Sequence, residues 1–151
     1  MSQQQIATSL LTYPLLNADV STGAAIEASK LRHQRYLLSD MGLNADDAPV
    51  TTTKVVLVPP NSCTLKSFRA MLTNTGTTTD VDFDVKINGT TALTAAINIT
   101  NAETNNVMYA GTLTTTDVNA DDVVTFEMTV TSSTGALGPA IELVFDTTYT
   151  G

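Results

Sequence analysis

The residues of this chain with types suited to chemistry are few, and their spacing decides what each can do. His33 is the only histidine and Cys63 the only cysteine. A nucleophilic triad needs a base set against a serine or cysteine and held by a third group. His33 stands between Arg32 and Gln34, and no G-x-S-x-G elbow occurs in the chain. A structural hydrogen-bonding histidine is therefore expected. Cys63 reads as a small, half-buried apolar residue, and a lone cysteine forms no internal disulfide. A zinc site needs three or four His or Cys ligands, and the chain holds two such residues.

Carboxylates are more numerous. Asp80, Asp82 and Asp84 recur at period two, and Asp121-Asp122 sit in a polar turn. Strand side chains two apart lie about 7 Å from each other, which is wide for a single calcium ion. The D-x-[DN]-x-[DN]-G calcium loop is missing. Like charges on one face repel, and a cross-strand lysine or a cation would relieve them. A paired-carboxylate glycosidase is disfavoured, because the acids lie on one regular face and no Trp is available to stack a sugar ring. Gly135-Ala-Leu-Gly138 has no lysine behind it and is no phosphate cradle. These residues lead to the expectation of a non-enzymatic protein with no metal and no cofactor.

The elements that must position these groups are strands. Val81, Phe83, Val85 and Ile87 alternate with Asp80, Asp82, Asp84, Lys86 and Asn88, the period-two mark of a half-buried strand. Asn88-Gly89 then supplies a tight turn that tolerates positive φ. Thr91 to Thr100 follows with Leu93, Ala95, Ile97 and Ile99 assigned to one face, so the two runs predict a β-hairpin. Further strands are expected at Lys54–Val58, ending at Pro59-Pro60; at Leu65–Leu72, with Phe68, Ala70 and Leu72 on one side; and at Val107–Leu113. Two more are expected at Val123–Val130, with Val124, Phe126, Met128 and Val130 on one face, and at Ile141–Phe145. Ser132 to Gly138 reads as a loop. About seven strands at regular spacing predict an all-β fold, an antiparallel β-sandwich or jelly roll, over residues 51–151.

Residues 1–50 show no such alternation and read as an N-terminal arm. The polar cluster Asn44 to Pro49 marks the boundary. Gly23 to Leu38 is either one short helix or extended, since Ile26, Leu31 and Leu38 share a face only loosely. The arm holds Lys30, Arg32, His33 and Arg35, half of the basic groups when the histidine is counted. It docks either on its own sheet or on a neighbouring subunit.

Composition agrees with a strand-rich surface protein. Of 151 residues 28 are Thr, and charged residues make up 15%, against about 25% in an ordinary soluble domain. Thr is β-branched and suits a pleated, half-wet surface. A net charge of −8 repels phosphate backbones, so no nucleic-acid partner is expected. The opening residues lack a basic region and a cleavage site, and no run approaches the ~20 apolar residues of a membrane span. Synthesis inside the cell and no membrane partner are the expectations. The sequons Asn88-Gly-Thr90 and Asn98-Ile-Thr100 read as turn and strand residues.

Several of these segments together resemble small structural proteins of tailed-bacteriophage virions. The resemblance covers about 120 residues. It rests on Asp84-Val85 with Asn88-Gly89, on Leu93, on Ile99 to Ala102, on Gly111 to Leu113, on Asp122-Val123 and on Gly135 with Gly138. Ile26-Glu-Ala-Ser-Lys-Leu-Arg-His33 also resembles the A-x-K-x-x-H segment that precedes the sandwich in such proteins. One departure is visible: the turn reads Ala120-Asp121-Asp122 where the pattern has Gly-Asp.

The resemblance implies a capsid decoration (cement) protein, synthesised in the host cytoplasm and placed on the virion's capsid surface, partnered by the major capsid protein and by itself as a homotrimer. The expected contact residues are Ile26, Leu31, Arg32, His33, Arg35 and Tyr36. The alternative is a head-fibre or tail-fibre module that binds a host-surface receptor, with Ser132 to Pro139 as its tip.

Overall fold

Apolar residues at alternate positions bury one face of each of the long strands that start at Cys63, Thr78, Val124 and Leu137, and two such faces close on each other. The computed structural model describes residues 34–39 and 44–147, which form ten strands and no helix. They are β1 (Gln34–Ser39), β2 (Thr52–Leu57), β3 (Cys63–Asn74), β4 (Thr78–Ile87), β5 (Thr90–Thr91), β6 (Ile97–Thr100), β7 (Tyr109–Ala110), β8 (Asp117–Val118), β9 (Val124–Thr134) and β10 (Leu137–Thr147). Sheet A runs β1-β10-β3-β7, with β8 also on β3; sheet B runs β2-β9-β4-β5, with β6 also on β4. Every pairing between these strands is antiparallel. The architecture is the expected β-sandwich. No helix among the described residues is long and apolar enough to cross a membrane.

The core lies between the sheets. Phe68 and Phe145 come from sheet A, Phe83 and Phe126 from sheet B, and all are fully buried. They are the chain's four phenylalanines. The rings of Phe83 and Phe126 stack with centroids 6.3 Å apart. Leu65, Leu72, Leu93, Ile99, Met128, Ile141 and Leu143 fill the space around them.

Two connections tie the sheets at one end. β3 passes to β4 through Thr75-Gly76-Thr77, and β9 to β10 through Gly135-Ala136. Each pair of consecutive strands therefore belongs to different sheets. The two crossings touch: Thr77 N donates to Thr134 O at 2.9 Å. A Cβ on Gly76, whose φ is 68°, would lie 2.6 Å from Ala136 N, so only glycine fits there. Thr75 and Thr79 are the buried polar residues of this end. Thr75 donates to Asn105 Oδ1 and to Glu103 O, and Thr79 donates to Thr75 O.

The Asp80–Asn88 strand is β4, and Asn88 and Gly89 take φ of 51° and 81° in a two-residue turn that pairs Lys86 with Thr91. Both central residues at positive φ match the right-handed twist of the flanking strands. The hairpin is interrupted, however. Ala92 and Leu93 turn into the core, Leu93 bridges Leu113, and pairing resumes at Phe83 with Ile97. Ala95, assigned to the buried face by alternation, is exposed.

Two further readings are corrected, while the Leu65–Leu72 strand keeps Phe68, Ala70 and Leu72 on one buried side as expected. Ser132 to Gly138 is not a loop: β9 runs to Thr134, β10 starts at Leu137, and both Ala136 and Pro139 are buried. The expected strand Val107–Leu113 shrinks to Tyr109–Ala110. In β3, Phe145 pairs with Leu65 and Val144 with Ser67, so Lys66 is an extra residue. That bulge moves the buried series from Cys63 and Leu65 to Phe68, Ala70 and Leu72. The helix allowed for Gly23 to Leu38 does not reach Gln34 to Leu38, which form β1; residues 23–33 lie outside the described residues.

Phe126→Ala should lower stability by about 3–5 kcal/mol, the cost of deleting a fully buried aromatic ring. Thr129→Ala on the exposed side of the same strand should stay within about 0.5 kcal/mol. Urea denaturation of both variants checks the pair.

Candidate functional site

Of the six residues nominated as contacts, Ile26, Leu31, Arg32 and His33 lie outside the described residues. Arg35 and Tyr36 lie in β1, opposite Asp146 and Phe145 of β10. β1 is the edge strand of sheet A and pairs with β10 along all six of its residues. This part of the N-terminal fifty residues thus docks on its own sheet. It forms a firm ladder into which the basic stretch Lys30 to Arg35 leads directly.

Charge is divided unevenly. Residues 44–147 hold twelve of the fifteen acidic residues and four of the seven Lys and Arg. On the outer face of sheet B the Asp80, Asp82 and Asp84 row is quenched by neutral donors. Asn98 Nδ2 donates to Asp80 Oδ1 at 2.7 Å and to Asp82 Oδ1 at 2.8 Å. Thr91 Oγ1 donates to Asp84 Oδ1 at 2.7 Å. Asp84 faces Glu127 directly across the ladder, and Lys86 relieves the repulsion through its ion pair with Glu127. The Glu127 carboxylate in turn holds the Lys86 ammonium above the usual lysine range. Among the described residues, no three His, Cys, Asp or Glu side chains gather where they could hold a metal ion.

A second cluster joins two turns at the end of the sandwich opposite the crossings. Asn88 reaches from the β4–β5 turn to the turn before β9. Its Nδ2 donates to Asp122 Oδ1 at 2.7 Å, and its Oδ1 accepts from Val123 N at 2.9 Å. The Asn88 backbone N donates to Val123 O at 2.9 Å. Asp122 Oδ2 also accepts from Asn119 N at 2.7 Å. These bonds, Asn88's first, hold the Asp122 carboxyl below the usual range.

Asp121 takes φ of 65°, the left-handed position at which the virion-protein pattern has glycine. Asp is among the few other residues that enter this region readily. The departure from the pattern therefore leaves the turn intact. Cys63 is buried nearby, and burial, followed by the Asp122 charge, pushes its thiol upward.

Large apolar side chains surface at one place above all. Val50, Val55, Val58 and Val123 are exposed, with Val55 at 61%. All four belong to or flank edge strand β2 and its Leu57–Val124 pair. The sequence reading took Lys54–Val58 as an apolar strand and missed that β2 has no described neighbour on its outer side. Two recesses lie on opposite sides of the molecule. One, about 230 Å³, opens beside β2 and is lined by Val50, Thr52, Lys54, Met128 and Pro139 among others. The other, about 360 Å³, runs between β6 and β7 over Ala95, Ile97, Ala110 and Gly111, with Glu103 and Tyr109 at its rim. Glu103 is engaged there: its carboxylate accepts from Thr100 Oγ1 and N, which holds it below the usual range.

The chain matches no protein-family model and no curated protein sequence.

Asp122 and Glu103 both have folded-state pKa values below their ordinary ones. Each contributes stability that is present above its unfolded pKa and lost as pH falls through its folded pKa. The urea midpoint should therefore drop as pH is lowered through the carboxylate range. The double variant Asp122→Asn, Glu103→Gln, whose amides do not titrate, should show a shallower drop over the same window.

Proposed function

We propose that this protein is a capsid decoration protein of a tailed bacteriophage. It binds the outer surface of the head shell through protein–protein contacts and performs no catalysis. The observation that carries this reading is the placement of β1. The basic stretch containing Arg32, His33 and Arg35 continues directly into an edge strand held by a six-residue ladder. Arg35, the last basic residue of that stretch, lies within the ladder itself. The virion-protein resemblance of the turn residues and of Ile26 to His33 supports the same reading.

Physically, the acidic body repels other copies and stays solvated, while the basic stretch supplies the one region of opposite sign. Charge complementarity then orients each copy, with residues 26–36 towards the shell or a sister subunit and the acidic sheet outward. Many identical copies on a regular shell add avidity to contacts that are individually modest. The four exposed valines in and around β2 offer apolar area for the same contact, β1 and β2 being the edge strands of their two sheets. The receptor-binding fibre alternative would use Ser132 to Pro139, the end of β9 and start of β10 joined by Gly135-Ala136, as its tip.

The test uses shells assembled from the major capsid protein of the same genome. Wild-type protein should co-sediment with them, with affinity falling as salt rises. Arg32→Glu with Arg35→Glu should weaken binding by about tenfold or more, while Asp82→Asn on the outer face should leave it unchanged. Binding that survives the charge reversal, or that is lost with Asp82→Asn, contradicts the assignment of the contact face.

A further inference from the structure

Asn88-Gly89 combines a reactive sequence with a fold that restrains it. Glycine presents the least hindered backbone nitrogen to the carboxamide of a preceding asparagine. When the Asn88 Cγ swings over that nitrogen, the Gly89 N attacks it, the Cγ–Nδ2 bond breaks, and ammonia leaves with the proton given up by the amide. The resulting succinimide takes up water at either carbonyl, giving aspartate or isoaspartate. Water is the only co-reactant, and no electrons are exchanged.

In the folded protein that swing is blocked. Both polar atoms of the carboxamide are committed to a different turn, Nδ2 to Asp122 Oδ1 at 2.7 Å and Oδ1 to Val123 N at 2.9 Å. The backbone adds a third bond, from Asn88 N to Val123 O. Bringing Cγ onto its own neighbour's nitrogen breaks both side-chain bonds. The turn is otherwise open, since Asn88 is exposed and nothing lies within 4 Å of a Cβ built on Gly89. Water reaches the site freely, so the hydrogen-bonded latch, not burial, sets the rate.

We infer that Asn88 is a fold-gated deamidation site, whose conversion irreversibly unlatches the β4–β5 turn from the turn that precedes β9. The new side chain has no N–H for Asp122. It places a second carboxylate where Nδ2 had stood, within hydrogen-bond distance of the first. The isoaspartate product also lengthens the backbone inside a turn of two residues. Each opening that leads to reaction is therefore not followed by reclosing. This end of the sandwich would record how long and how often it has been open.

The experiment incubates the full chain in mildly alkaline buffer, folded and in urea, beside an Asp122→Ala variant. Peptide mapping follows the mass gain of an NH₂-to-OH exchange at Asn88. The denatured chain should react about tenfold or more faster than the folded one, with Asp122→Ala between them. Equal rates in folded and denatured chains would remove the gate, and no product in the denatured chain would remove the site.

A second measurement addresses the latch. Asn88→Asp should melt below wild type at neutral pH, and the deficit should shrink in acid as the facing carboxylates protonate. A variant that melts with wild type at neutral pH would show that conversion unlatches nothing.

Discussion

Phe68 and Phe145 on sheet A and Phe83 and Phe126 on sheet B are all fully buried in the one core, and the bulk of these four rings sets how far apart the sheets stand. Every other feature accommodates that layer. The crossings at Gly76 and Gly135-Ala136 have to pass from one sheet to the other in two or three residues, which is why they touch and why glycine stands at the tightest point. The bulge at Lys66 returns β3 to register so that Leu65 and Phe68 both point inward despite their odd separation. Large buried rings leave little room between the sheets, and the two recesses described lie at the sides.

A sandwich of this kind has edges, and its edges are managed. β7 and β8 are two residues each and offer almost no ladder to a stranger. β2 is longer, but it carries Lys54 at an inward register position opposite Phe126. It is also bulged at Val56 and followed by Pro59-Pro60. A lysine, a bulge and prolines are established means of keeping an edge from pairing indiscriminately. The outer face of sheet B is polar and acidic, with its carboxylates satisfied by Asn98, Thr91 and Lys86. An acidic face of this kind repels copies of itself, and the contact proposed above is accordingly assigned to the basic stretch that ends in β1 and to the exposed valines in and around β2.

Much of the fold was legible because the strongest signals were local. The alternation in Asp80–Asn88 and in Val123–Val130 placed Val81, Phe83, Val85, Val124, Phe126 and Met128 in the core without knowledge of their partners. Asn88-Gly89 announced its turn. What stayed hidden depends on distant residues. Lys66 is an extra residue only relative to β10, Ala95 is exposed only because Leu93 reaches over to Leu113, and Ser132–Thr134 become strand only by pairing with Thr78–Asp80.

The candidate site was less legible. Arg35 and Tyr36 were named without the strand that holds them. Lys54–Val58 read as an apolar strand, but an apolar run does not reveal whether a strand is an edge, so the exposure of Val55 and Val58 stayed hidden. The Asn88–Asp122 latch joins residues 34 apart, and each half taken alone reads as ordinary turn chemistry.

The central claim is that an inert sandwich works by the contact it makes through its N-terminal stretch. Electron cryo-microscopy of virions from the same genome tests it most directly. The account predicts sandwich-shaped density on the outside of the head, with residues 26–36 at the shell or at a sister subunit and the Asp80–Asp84 face towards solvent. Heads without such density, or density seated on that acidic face, would contradict it.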